Sequence, residues 1–195
     1  MKQENTFRYL LRLTVVLLLI TAVVAGMLGA VNAVTKDRIA ALNEEKQRTA
    51  MAAVLEAESY DALALPVGCD GTVAAAYRAS VSGETVGYVI EVLPAGFGGP
   101  VDLMVGVDTD LVVTGVSVIS HSETSGLGAV AAQKNAKGIA FRDQFIGESG
   151  TLSVTKDGGT VDALTGATIT SRAVTDGVNA ALSCAELLTE GGGAQ

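Results

Sequence analysis

Tryptophan is absent from this chain of 195 residues, histidine occurs once, cysteine twice and proline three times. A lone His121 excludes a histidine-built metal site. Cys69 and Cys184 stand far apart, in no CxxC or Cys/His spacing, so neither zinc nor an iron–sulfur cluster is supported. Two readings of the pair stay open: free thiols, or one disulfide in an oxidising compartment. Basic residues are in deficit. Thirteen Lys and Arg against 21 Asp and Glu leave a net charge of −8, which argues against a nucleic-acid partner. The chain holds no GxGxxG and no GxxxxGK[ST], so a Rossmann site and a nucleotide-triphosphatase loop are both unsupported. No Ser/His/Asp or Cys/His arrangement supports nucleophilic hydrolysis, and no catalytic residue is assigned. His121 without a partner reads as a structural residue.

What the chain does hold is apolar residues and glycine: 49% and 23 residues. Residues 13–34, "LTVVLLLITAVVAGMLGAVNAV", carry no charge. As a helix these 22 residues span roughly 33 Å, matching a bilayer core of about 30 Å. The run exceeds the usual signal-peptide core, and "TKDRIAALNEEKQRTAMAAVL" continues it as an amphipathic helix. A membrane anchor is therefore favoured over a cleaved leader. Lys2, Arg8 and Arg12 precede the span against one acid, Glu4, which predicts a cytoplasmic N-terminus over residues 1–12. The acidic remainder is expected outside, on a single-pass protein of the inner or plasma membrane. Gly26 and Gly29 offer a small face for close helix approach.

The sequence predicts an α+β domain on a mostly antiparallel sheet flanked by helices. Residues 35–66 read as an amphipathic helix and a linker, 67–188 as the extracytoplasmic domain, and 189–195 as a flexible tail. "TVAAAYRASV", "VGYVIEVL" and "VDLMVGVDTDLVVTGVSVIS" read as strands, the last as two around Asp108-Thr109-Asp110. Period-two alternation sets Val113, Gly115, Ser117 and Ile119 against Val112, Thr114, Val116 and Val118, which predicts a sheet with one buried face. Residues 129–145 suggest a helix and loop, 150–162 a hairpin turning at Gly158-Gly159, and 169–188 the last long helix.

Two stretches carry chemistry. "VDALTGATITSRAV" (161–174) crowds Thr165, Thr168, Thr170 and Ser171 at a helix start, with Asp162 just ahead. One Thr suffices as an N-cap. Unpaired N–H groups, the helix dipole and Gly166 also suit a phosphate where Thr168 enters the helix. Both readings stand. "SHSETSGLGAV" (120–130) follows a strand; its Gly126 and Gly128 flank Leu127 after Glu123-Thr124. It reads as a plain loop or as backbone that approaches a planar ligand.

Taken together, these stretches resemble the covalent FMN-binding domain family. Asp162 to Thr168, "DALTGAT", matches its flavinylation motif. Nearly the whole chain is similar to the G subunit of Rnf ion-translocating electron-transport complexes. The anchor, "VGYVIEVLPAGFGGPVDLMVGVD", "SHSETSGLG", "FRDQFIG" and "VDALTGATITSRAV" carry the likeness. One departure is visible: Ser125 stands where the family usually has proline. The resemblance implies FMN joined by a phosphoester to Thr168, after transfer from FAD by a flavin transferase. It implies recognition through Asp162, Thr165, Gly166 and Ala167. It implies that Glu123, Thr124, Gly126, Leu127 and Gly128 line the isoalloxazine. The implied partners are the other membrane, iron–sulfur and flavin subunits of a complex linking ferredoxin and NAD to Na⁺ or H⁺ transport. Such a protein is a phosphoprotein and flavoprotein of a translocase, with no complete reaction of its own. Two alternatives differ. One is the related C subunit of the Na⁺-translocating NADH:quinone reductase. The other is an anchored binding protein without a redox group.

Overall fold

The computed structural model describes residues 2–192, with side chains for residues 8–190. The chain divides into two units, residues 1–45 and 46–195. The first is one helix. Helix α1 (Lys2–Val54) starts there, and its apolar side chains from Tyr9 to Val34 are exposed all round. A helix apolar on every side finds no core of its own and suits lipid. It is long and apolar enough to cross a membrane. Two threonine hydroxyls in this apolar run are satisfied within the helix: Thr14 donates to the Leu10 carbonyl at 3.0 Å and Thr21 to Leu17 at 3.0 Å.

The second unit is built on an antiparallel meander. Strands β1 (Ser59–Leu63), β2 (Val73–Val81), β3 (Glu84–Val92), β4 (Val101–Asp108) and β5 (Val113–His121) pair in chain order. Helices α2 (Ala136–Asp143) and α3 (Thr168–Gly192) follow. The α+β reading with a mostly antiparallel sheet is thus what the molecule has. Helix α3 presents Val174, Val178, Ala181, Leu182 and Ala185 on one stripe. It packs into a core with Ile90, Val92, Leu103, Val105 and Val107. Each such burial contributes about 1.5–3 kcal/mol for the larger side chains. Phe141 and Phe145 add an edge-to-face ring pair, 5.6 Å between centroids at 89°.

Four expectations differ from the structure. The sheet is buried on both faces, not one. Ala50, Met51 and Val54, at the end of α1, cover Ala79, Val89 and Met104 on the second face. Gly106 makes this approach feasible, since a Cβ there would collide with the Val54 carbonyl oxygen. Thr114 then donates its hydroxyl to that same oxygen at 2.6 Å. Second, the strict alternation of β5 breaks. A register shift between Gly106 and Val107 moves Val113 into the main core with Val116 and Val118. Third, residues 150–162 are not a hairpin. Val154 and Val161 form one isolated parallel bridge around a 3₁₀ turn, Thr155–Asp157. Both valines are needed in the core, so the chain loops back without a ladder. Fourth, the stretch 129–145, read as a helix followed by a loop, holds its helix at the far end instead. A 3₁₀ turn (Gly128–Ala132) precedes α2, which Asn135 caps by accepting from the Gly138 N–H at 2.9 Å.

At the margins, residues 59–63 are an edge strand within the stretch read as linker, and the compact unit starts at residue 46. Helix α3 runs through residues 189–192 of the expected tail; 193–195 lie outside the described residues. Residues 2–12 of the expected cytoplasmic segment belong to α1, and Met1 lies outside the described residues. Cys69 and Cys184 are free thiols, the second of them buried. Burial, reinforced by Cys69, pushes the Cys184 thiol up to about 12.

Candidate cofactor site

The crowded hydroxyls at the start of α3 have separate duties. Gly166 takes a left-handed φ of 75°, and the Ala167 N–H closes the turn onto the Leu164 carbonyl at 3.0 Å. The Ala167 carbonyl accepts the first helical bond, from Ser171 N–H at 3.0 Å. Ala167 is therefore the N-cap, and it has no side-chain oxygen for the first-turn amides. Neither Thr165 nor Thr168 occupies that position.

Ser171 is spent on the fold. Its Oγ accepts from the Leu164 N–H at 2.9 Å and donates to the Ala167 carbonyl at 3.0 Å. Thr170 is buried and donates to Glu123 Oε2 at 2.6 Å. Thr165 is exposed. Thr168 is half-buried, and its Oγ accepts from Lys156 Nζ at 2.7 Å.

Glu123 reaches this helix start from the end of β5. It is 9% exposed, and its Oε1 accepts from the Gly98 N–H at 3.0 Å. One carboxylate thus ties the β3–β4 loop, its own loop and the first turn of α3. Gly128 lies directly on that bond. A Cβ there would collide with both Glu123 Oε2 and Thr170 Oγ, so no side chain is tolerated. His121 serves the same loop, its Nδ1 accepting from the Glu123 N–H at 3.2 Å.

The two stretches meet across a cleft of about 340 Å³. Glu123, Thr124, Leu127 and Gly128 form one wall, and Gly166, Ala167 and Thr168 form the other. The volume falls in the range of small-molecule sites, about 300–1,000 Å³. Gly126, Asp162 and Thr165 instead line an adjoining cleft of about 500 Å³, with Leu127 shared. The Asp162 backbone is fixed there by Gln144, whose Oε1 accepts its N–H at 2.7 Å and whose Nε2 donates to its carbonyl at 3.3 Å. Among the described residues, no cluster of His, Cys, Asp or Glu has the makings of a metal site.

Three participants escape a reading of the chain. Phe97 and Ile169 complete the first cleft. Phe97 lies in "AGFGG", where an aromatic among glycines was a usable sign of a ligand edge. Lys156 lies twelve residues before Thr168, inside the stretch read as a hairpin, and no local pattern marks it.

Residues 96–183 match the family model of the FMN-binding domain. The chain is 35% identical to the G subunit of the ion-translocating oxidoreductase complex of Methanosarcina acetivorans, over 88% of this chain and 92% of that protein. It is 31% identical to the G subunit of the Na⁺-translocating ferredoxin:NAD⁺ oxidoreductase complex of Acetobacterium woodii, over 97% of this chain and 98% of that one. A solved structure, the C subunit of the Na⁺-translocating NADH-quinone reductase of Parabacteroides distasonis, overlaps 60% of this chain and 61% of its own at 25% identity, with a TM-score of 0.46. That overlap is too loose to bear on the site.

Proposed function

Because the chain belongs to the family of G subunits of Rnf-type ion-translocating oxidoreductase complexes, we propose that it is their membrane-anchored electron carrier, with FMN held covalently on Thr168. FMN supplies one- and two-electron transfer when bound, and the protein's part is to position and tune it.

One observation carries the choice of Thr168. Of the four hydroxyls in the motif, Thr170 and Ser171 are consumed by buried hydrogen bonds and Thr165 stands outside the first cleft. Only Thr168 lines that cleft with its oxygen held at the helix mouth by a cation. Two further observations support the fit. Ala167 leaves the first-turn amides without a side-chain cap, so they can meet a phosphate. The cleft wall is mostly apolar, as a flavin ring requires, with Glu123 at its base.

Helix α1 anchors the carrier, with the N-terminus in the cytoplasm and the flavin domain outside. The carrier passes electrons between other subunits of a translocase that links ferredoxin and NAD to Na⁺ or H⁺ transport. It completes no reaction alone, and a flavin transferase matures it.

The test is Thr168→Val, which keeps the β-branched shape and removes the hydroxyl. The intact mass of the variant, coexpressed with the transferase, should lack one FMN, and its denatured gel band should lose flavin fluorescence. Ser149→Ala, at an exposed position outside the motif, should keep both. Flavin persisting on the Thr168 variant would sink the assignment.

A further inference from the structure

Lys156 occupies a position that the fold itself does not require. It is the middle residue of a 3₁₀ turn in which no residue is buried. Yet the turn is fastened to α3 at two points. The Arg172 guanidinium grips Asp157 as a fork, Nε to Oδ2 and Nη2 to Oδ1, both at 2.6 Å. One turn earlier on the same helix, Lys156 Nζ donates to Thr168 Oγ at 2.7 Å. The fork sets the turn's position along the helix, and the ammonium falls on the one motif hydroxyl left at the cleft. In a chain of net charge −8, a cation held there is a local reversal of sign.

Resting on the reading of Thr168 as the flavin acceptor, we propose that Lys156 is the phosphate-binding residue of the site. It orients the Thr168 oxygen for FMN transfer and then pairs with the phosphodiester that results. In the transfer, the Thr168 Oγ–P bond forms to the flavin-side phosphorus of FAD. The P–O bond to AMP breaks, and AMP leaves with the electron pair. The hydroxyl proton goes to a base of the transferase. Lys156 is not that base, since an ammonium only donates. Its hydrogen bond occupies one of the two Oγ lone pairs and leaves the other directed at phosphorus. After transfer Oγ is an ester oxygen, and the ammonium's donors turn to the non-bridging oxygens. These carry one negative charge, which the uncapped amides of α3 also favour.

The experiment compares full-length apo-protein in detergent as wild type, Lys156→Gln, Lys156→Arg and Thr168→Val. Each is incubated with FAD and the transferase, and intact mass is followed in time. The ³¹P resonance of each loaded protein is then recorded. Lys156→Gln should slow FMN attachment about tenfold or more, the loss of one charge-assisted hydrogen bond. It should also shift the phosphodiester resonance. Lys156→Arg should restore both. Wild-type rate and resonance in Lys156→Gln would overturn the inference. So would slow attachment in both Lys156 variants with an unmoved resonance, since that pattern marks a purely structural role. Thr168→Val separates this inference from the reading beneath it. Attachment to that variant refutes Thr168 as acceptor, whereas its absence, with wild-type behaviour in Lys156→Gln, refutes only the role of Lys156.

Discussion

Glu123 Oε2 and Thr170 Oγ lie 2.6 Å apart, although 47 residues separate them in the chain. The bond is buried and sits at the base of the cleft, with Gly128 lying against it. It joins the two motifs that no local pattern connects, and it keeps one carboxylate beside the place where a flavin ring would lie.

Glu123→Gln should keep the flavin attached and raise its midpoint potential. A carboxylate near the ring opposes the negative charge added on reduction, and the amide removes that opposition. An effect on the order of 1 kcal/mol corresponds to roughly 20 mV for a two-electron couple. Spectroelectrochemical titration of both proteins measures it. An unchanged or lower potential would leave Glu123 with its structural bonds alone.

Thr170→Val should destabilise the domain by about 1–3 kcal/mol, because the buried Glu123 loses a donor. Thr165→Val, at an exposed position, should stay within about 0.5 kcal/mol of wild type. Urea unfolding of the two variants checks the contrast. For the same reason a Thr170 variant is no clean control for flavin attachment at Thr168.

Cys184 should resist alkylation in the folded, reduced protein at pH 8. Its thiol is pushed up to about 12, chiefly by burial, so its reactive thiolate stays scarce until the pH approaches that value. Iodoacetamide followed by peptide mass analysis should find Cys184 unmodified at pH 8 and modified after denaturation. Rapid labelling of Cys184 in the native protein would contradict its burial.

Orientation is checked by labelling in intact cells. A membrane-impermeant maleimide should reach a cysteine placed at the exposed Ser149 and fail to reach one placed at Gln3, in a Cys69→Ser background. Lys2, Arg8 and Arg12 should hold their end inside. The reverse pattern would overturn the charge argument.

Much of the frame was legible in the residues alone. The uncharged run at 13–34 can hardly be anything but an apolar helix, since hydropathy and length are properties of the local chain. Four strands and the last helix followed from period-two and period-3.6 repeats for the same reason. The Glu123 loop and the Asp162–Thr168 turn were marked by residue type. Seven of the ten residues taken from them do line the first cleft; Gly126, Asp162 and Thr165 face its neighbour. Leu127 belongs to both clefts and stands between the two sets, a division that residue type does not encode.

The tertiary structure decided what local pattern does not carry. A row of hydroxyls looks alike along a chain. Which one remains for a ligand depends on partners brought from elsewhere: Glu123 takes Thr170, Leu164 and Ala167 take Ser171, and Lys156 meets Thr168. The second buried face of the sheet likewise needed the end of α1 to meet Gly106, and the shift of Val113 into the core needed a bulge in the β4–β5 register. Periodicity reports how a backbone runs, because each residue's direction follows from its neighbours' dihedrals. Hydrogen-bond partners and burial are chosen across the fold, by packing that closes only when all the elements are in place.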